Sequence, residues 1–137
     1  EPLQPPLLAG TEEAYSTLEY VALNCTTMNT EYIPRVSWLI NDRPAHSSYV
    51  RQVNQRTVGL VFQARDDYFQ RGVITVSCVT SLGNKHVKAT QVQLPNRSYL
   101  SAQEYYHNAG QKKTGSGCPL AALLILKCFY YSLVSLL

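Results

Sequence analysis

Charge is scarce in this 137-residue chain and nearly cancels: Lys and Arg number 12 and Asp and Glu 9, for a formal net charge of +3. Residues 1–107 hold nine basic against nine acidic residues, so the excess comes from Lys112, Lys113 and Lys127. No basic stripe exists to neutralise phosphates along a duplex, which argues against nucleic acid as a partner. Signatures of catalysis are also missing. There is no G-x-S-x-G elbow, no H-E-x-x-H pair and no glycine-rich phosphate loop, and Ser, His and Asp occur without any such context. The four cysteines form no C-x-x-C, and His46, His86 and His107 lie far apart. Zinc needs three or four ligands converging at about 2.0 to 2.3 Å, and nothing in this spacing suggests it. The chain is therefore expected to be no enzyme, with no cofactor, no metal and no small-molecule substrate. The ten tyrosines are scattered and read as packing and surface residues.

Amphipathic helix is also absent before residue 100, and there is no internal repeat. Alternation with a period of two takes its place. In 20–26, Val21, Leu23 and Cys25 share one parity; in 35–40, Val36, Trp38 and Ile40 do so. Val58, Leu60 and Phe62 alternate in 57–62, and Ile74, Val76 and Cys78 in 72–79. Residues 86–94 follow the turn Gly83-Asn84 as a hairpin partner to the strand before it. Half-buried strands carry this signature. The proline-rich opening, 1–10, reads as an edge strand or a lead-in from an upstream domain, because proline lacks the ladder N–H. The chain begins at Glu1 without a Met or a signal peptide, and is expected to be a mature product or a fragment.

Cys25, Trp38 and Cys78 identify the fold. Trp38 stands thirteen residues after the first cysteine and Cys78 fifty-three after it, each on the inward parity of its strand. In an immunoglobulin sandwich two such cysteines bridge facing strands and the tryptophan packs on the bridge. The expected fold is thus all-β: an immunoglobulin-like antiparallel β-sandwich over 11–95 with a Cys25–Cys78 disulfide, which implies an oxidising compartment. One usual feature is missing. The place two residues before the second cysteine, where many such domains carry a corner tyrosine, holds Val76, and the corner reads Phe69-Gln70-Arg71-Gly72.

Several stretches resemble the second immunoglobulin domain of the beaten path family of arthropod neuronal surface proteins. They are 21–26, Trp38-Leu39-Ile40-Asn41-Asp42-Arg43-Pro44-Ala45 with Tyr49 soon after, 58–62 and 76–80. The likeness runs from about Pro6 to Leu94, and W-x-I-N-x-x-P-A is its most specific part. The resemblance implies heterophilic binding, across a cell–cell gap, to immunoglobulin-superfamily receptors of the sidestep family in axon adhesion and guidance. It also implies a further domain upstream that makes most of the partner contact, leaving this one as a spacer. The competing expectation is that Leu39, on the solvent parity of its strand, marks a docking face here. The alternative function is an immune-type receptor or a secreted binder on the same scaffold, since fold does not fix partner.

Asn24-Cys25-Thr26 and Asn96-Arg97-Ser98 fit the N-glycosylation sequon, and the parity of Asn24 turns it away from the core. Residues 96–117 are polar and aperiodic, the expected disordered stalk. Residues 118–137 are apolar apart from Lys127 and long enough, as a helix, to span about 30 Å of hydrocarbon. Two fates fit that tail, a membrane-spanning helix and a glycosylphosphatidylinositol signal. Three observations favour the lipid anchor: no basic segment follows Leu137, Lys112 and Lys113 lie on the wrong side for a spanning helix, and Lys127 sits at mid-tail. A charge there costs roughly 2.5 to 3.5 kcal/mol on insertion. Asn108-Ala109-Gly110 supplies small residues ahead of a polar spacer and the apolar end, so Asn108 is the candidate attachment site, with Ser101 or Gly115 as substitutes. The expected location is the extracellular face of the plasma membrane. On the anchor reading, a phosphatidylinositol-specific phospholipase releases the protein from intact cells into the medium. Full retention in the cell fraction, read by immunoblot, rejects the anchor.

Overall fold

The computed structural model describes residues 1–100, and the sandwich occupies Glu1–Arg97. Eight strands build it: β1 (Leu7–Ala9), β2 (Tyr20–Thr26), β3 (Arg35–Ile40), β4 (Arg43–Pro44), β5 (Val50–Gln52), β6 (Thr57–Gln63), β7 (Val73–Leu82) and β8 (His86–Pro95). They form two antiparallel four-stranded sheets, ordered β1-β2-β6-β5 and β4-β3-β7-β8. Short 3-10 turns at Ser47–Tyr49 and Asp66–Tyr68 complete the connections. The fold is all-β and two-layered, in the immunoglobulin arrangement. The stalk beyond residue 100, the hydrophobic helix over 118–137 and Asn108 lie outside the described residues. Among the described residues no helix is long and apolar enough to cross a membrane.

Alternation becomes burial as the pleat requires. Along β2 the exposed Tyr20, Ala22 and Asn24 interleave with the buried Val21, Leu23 and Cys25. Leu60 and Phe62 from β6 and Ile74 and Val76 from β7 close over them, each at most 1 % exposed. Cys25 and Cys78 are bonded to each other across this interior, with their Cα atoms 6.4 Å apart, inside the usual range. Trp38 stands directly opposite Cys78 in the β3–β7 ladder and is buried with it in the same cluster.

Where the sequence expectation stops short, local chemistry explains the gap. Asn41-Asp42 does more than end β3. Both residues take positive φ (51° and 66°), as a tight two-residue hairpin demands, and the chain folds back at once into β4. β5 has three exposed residues and no alternation to announce it. The strand expected over 72–79 starts at Val73 and runs on to Leu82, with Thr80 fully buried and its hydroxyl donating to the Lys88 carbonyl at 3.3 Å. The opening segment forms the edge strand β1 and then changes sheet. β1 pairs with β2 through Leu7–Ala9, but Tyr15 bridges in parallel to Asn96, just past β8 in the other sheet. Gly10 makes the departure possible. Its φ is +103°, and a Cβ there would lie 2.7 Å from the Ala22 carbonyl oxygen. Tyr15 is then 1 % exposed, and its hydroxyl accepts from the Glu12 N–H at 2.9 Å. Burial raises that hydroxyl above the ordinary tyrosine pKa. Asn96 and Arg97, assigned to the stalk by composition, are held by this second sheet: the Asn96 N–H donates to Gly72 O, the Arg97 N–H to Tyr15 O, and the Arg97 guanidinium to Ala14 O.

The corner between β6 and β7 lacks the usual tyrosine two places before Cys78, and another residue ties it down. Asn41 Nδ2 donates to the Tyr68 carbonyl at 2.8 Å, while Asn41 Oδ1 accepts from the Thr75 N–H at 3.0 Å. Tyr68 in turn shares a hydroxyl–hydroxyl hydrogen bond of 2.9 Å with Tyr49 and meets Phe62 edge-on, with ring centroids 5.6 Å apart. Burial, then the Tyr49 hydroxyl, raises the Tyr68 pKa above its ordinary value, so Tyr68 stays neutral at physiological pH.

Two stability measurements follow. Replacing both cysteines, Cys25→Ala with Cys78→Ala, reopens a 53-residue separation and should cost about 4 kcal/mol in a guanidinium titration. A midpoint unchanged by the double substitution would deny the bridge its role. Asn41→Gly keeps the positive φ but removes both side-chain hydrogen bonds, and should lower stability by about 1 to 3 kcal/mol. A loss smaller than 0.5 kcal/mol (about the scatter of such substitutions) would mean that the corner is held by something else.

Candidate functional site: the outer face of the β4-β3-β7-β8 sheet

The same pleat that sends Trp38 inward sends Leu39 outward. Leu39 lies in register with Pro44 of β4 on one side and Ser77 of β7 on the other, and is half-buried between them. The next ladder position along the face pairs Ser37 with Val79, and β8 extends it with Ala89 opposite Val79 and Gln91 opposite Ser77. Gln91 Nε2 donates to Ser77 Oγ at 3.2 Å, which satisfies a serine that is only 4 % exposed. Arg35, at the start of β3 opposite Ser81, is the one ionisable side chain on the outward parity of these four strands.

The physical character of this surface follows from its composition. Small apolar and uncharged polar groups cost far less to dehydrate than ions do. The centres of protein–protein interfaces are depleted of charge for this reason. A flat sheet face carried on a core that is pinned by a disulfide is also rigid, so docking against it orders few side chains. The arrangement can therefore receive a protein surface; it offers no set of groups aligned for proton transfer or nucleophilic attack. Among the described residues no three or more His, Cys, Asp or Glu side chains come together in a way that could hold a metal ion.

The other site residues read from the sequence are distributed around this face. Cys25, Cys78 and Trp38 meet in the core beneath it. Asn24 is on the far sheet, exposed at the middle of β2. Asn96 is half-buried just past β8, with its N–H held by Gly72 O at 2.8 Å. Sequence reasoning missed Asn41 as a tie and the Tyr49–Tyr68 pair beside it. The Asn-Asp dipeptide was a visible turn signal, but no local pattern tells that its amide reaches the β6–β7 corner.

No protein-family model and no curated protein matches the chain. Solved structures do. The Dscam1 Ig7 domain, isoform 9, is similar over 67% of this chain and 99% of its own, with a TM-score of 0.52 and 19% sequence identity. The N-terminal Ig1-2 module of the Drosophila receptor protein tyrosine phosphatase DLAR is similar over 68% of this chain and 49% of its own, with a TM-score of 0.52 and 14% identity. At such identities the shared property is the architecture: these neighbours and this chain have in common the immunoglobulin-like two-sheet fold.

Proposed function

We propose that the chain is a cell-surface recognition and adhesion module of the beaten path type. On this reading it acts at the extracellular face of the plasma membrane, held there by its C-terminal lipid anchor, and serves axon adhesion and guidance. Its partner is an immunoglobulin-superfamily receptor of the sidestep type, and it catalyses no reaction. The fold is common to many surface receptors, so the fold does not carry the choice. What carries it is Leu39 at the middle of a rigid outward face on which Arg35 is the sole ion. Such a face suits a protein partner with a similarly uncharged, flat surface. It suits neither a phosphate backbone nor a small ligand, which prefers a concave pocket.

The W-x-I-N-x-x-P-A segment supports the beaten path assignment in physical terms. Trp38 and Ile40 are buried in the core, Asn41 ties the corner, Pro44 flanks Leu39 on the outer face, and the Ala45 N–H donates to the Trp38 carbonyl at 3.0 Å. The segment builds the face and its support together.

The test is binding to multivalent sidestep-family ectodomains on cells, comparing the unaltered protein with Leu39→Arg. The substitution places an ion at the centre of the face, and binding should weaken at least about tenfold, in the range of a central interface residue. Met28→Arg, in the loop after β2, should bind as the unaltered protein does. Equal binding by Leu39→Arg would remove this face from the contact, and no binding by the unaltered protein would remove the sidestep-type partner.

A further inference from the structure

The second sheet face, on the far side of the sandwich, is also poor in charge and also carries exposed apolar side chains. On the outward parity of β1, β2, β6 and β5, Leu7 is 55% exposed, Tyr20 65% and Val61 42%. Arg51 is the one residue on that parity that is charged at neutral pH. Exposed apolar area of this kind on a flat sheet invites association with another copy. Asn24 stands in its middle. Its neighbours across the ladder at the same level are Ala9 and Gly59, and its neighbours along the strand on the same face are Ala22 and Thr26. All four are small, so the amide rises from a clearing. Gly59 is needed for that space: a Cβ there would lie 3.2 Å from Asn24 Oδ1 and 3.3 Å from Val53 Cγ2. Asn24 opens the tripeptide Asn24-Cys25-Thr26, which is a glycan acceptor sequence.

We infer that Asn24 carries an N-linked glycan which covers the outer face of the β1-β2-β6-β5 sheet and so leaves the Leu39 face as the one open to a protein partner. The inference rests on the proposed function for passage through the secretory pathway. In the reaction, Asn24 Nδ2 attacks the anomeric carbon of an N-acetylglucosamine-headed oligosaccharide carried on a lipid pyrophosphate. A C–N bond forms, the C–O bond to the pyrophosphate breaks, the pyrophosphate leaves with the electron pair, and the amide gives up one proton. Transfer acts on the chain before β2 is laid down. In the folded protein the Thr26 hydroxyl, which completes the acceptor sequence, is engaged with the Thr57 hydroxyl at 2.9 Å, and the Asn24 backbone lies mid-ladder between β1 and β6.

The experiment uses the whole protein expressed in and purified from eukaryotic cells. Within residues 1–35 the first Lys or Arg is Arg35 and Asn24-Cys25-Thr26 is the one sequon, so the tryptic peptide that ends at Arg35 reports on Asn24. After peptide-N-glycosidase in heavy-oxygen water, that peptide should carry Asp at position 24 with the heavy label, and Thr26→Val should abolish the label. Absence of the label at position 24 of that peptide overturns the inference. Native deglycosylation of the folded protein should then shift it from monomer towards dimer in sedimentation, and Val61→Lys should return the deglycosylated protein to monomer. A deglycosylated protein that stays monomeric overturns the shielding. Receptor binding is measured on the same material: lost binding with Asn24 occupied counts against the proposed function alone, and intact binding with Asn24 bare counts against the glycan alone.

Discussion

Two sulfur atoms joined across the interior hold the two sheets at a set distance, and the remaining structure is arranged around that spacing. The bridge links β2, in the middle of one sheet, to β7, in the middle of the other. Because Trp38 is the ladder partner of Cys78, the largest side chain of the core lies beside the link. This fixes the parity of all the central strands at once. A strand that slipped by one residue would send Leu39 inward and Trp38 to water, at a cost that no surface contact could offset. The outward faces are thus as strictly determined as the core, and what each face displays follows from the bridge beneath it.

The edges of the sandwich are secured by polar ties where apolar packing is thin. On one side the chain leaves β1 at Gly10 and crosses to the second sheet, where the Tyr15 N–H donates to Pro95 O at the end of β8 and Tyr15 O accepts from the Arg97 N–H. On the other, Asn41 does the work that a corner tyrosine does in many related domains, reaching from the β3–β4 turn to Tyr68 and Thr75. The two solutions differ in where the tie originates. A tyrosine on β7 would secure the corner from within its own strand. Asn41 secures it from the neighbouring hairpin and so couples β4, and the part of the outer face next to Leu39, to the β6–β7 corner.

Function in such a domain is a matter of which surface is open. Both sheets turn outward faces that hold one arginine each, and by composition alone either could receive a partner. The difference between them is chemical. One centres on a leucine between a proline and a serine; the other centres on an asparagine in an acceptor sequence, ringed by alanine, glycine and threonine. A sugar on that asparagine would make the two faces unlike, one solvated by carbohydrate and one bare, and a module with one bare face has a defined direction of contact.

Period-two alternation, the Gly83-Asn84 turn and the Cys-Trp-Cys spacing determined, from the sequence by itself, five of the strands, the parity of four of them and the pairing of the cysteines. These are local or nearly local signals, and burial acts on them residue by residue. The sequence also exposed Asn24 and Leu39 as outward residues, because parity is all that such a statement needs. Only the tertiary structure decided the rest. β4 and β5 are too short for a pattern to emerge, the sheet change at Gly10 depends on the Ala22 carbonyl passing close by, and the reach of Asn41 to Tyr68 joins residues 27 apart. The neighbourhood of Asn24, formed by Ala9 and Gly59 from two other strands, likewise exists only once the sheet is assembled. Contacts between distant segments are set by the three-dimensional register of strands, and no window along the chain contains that register.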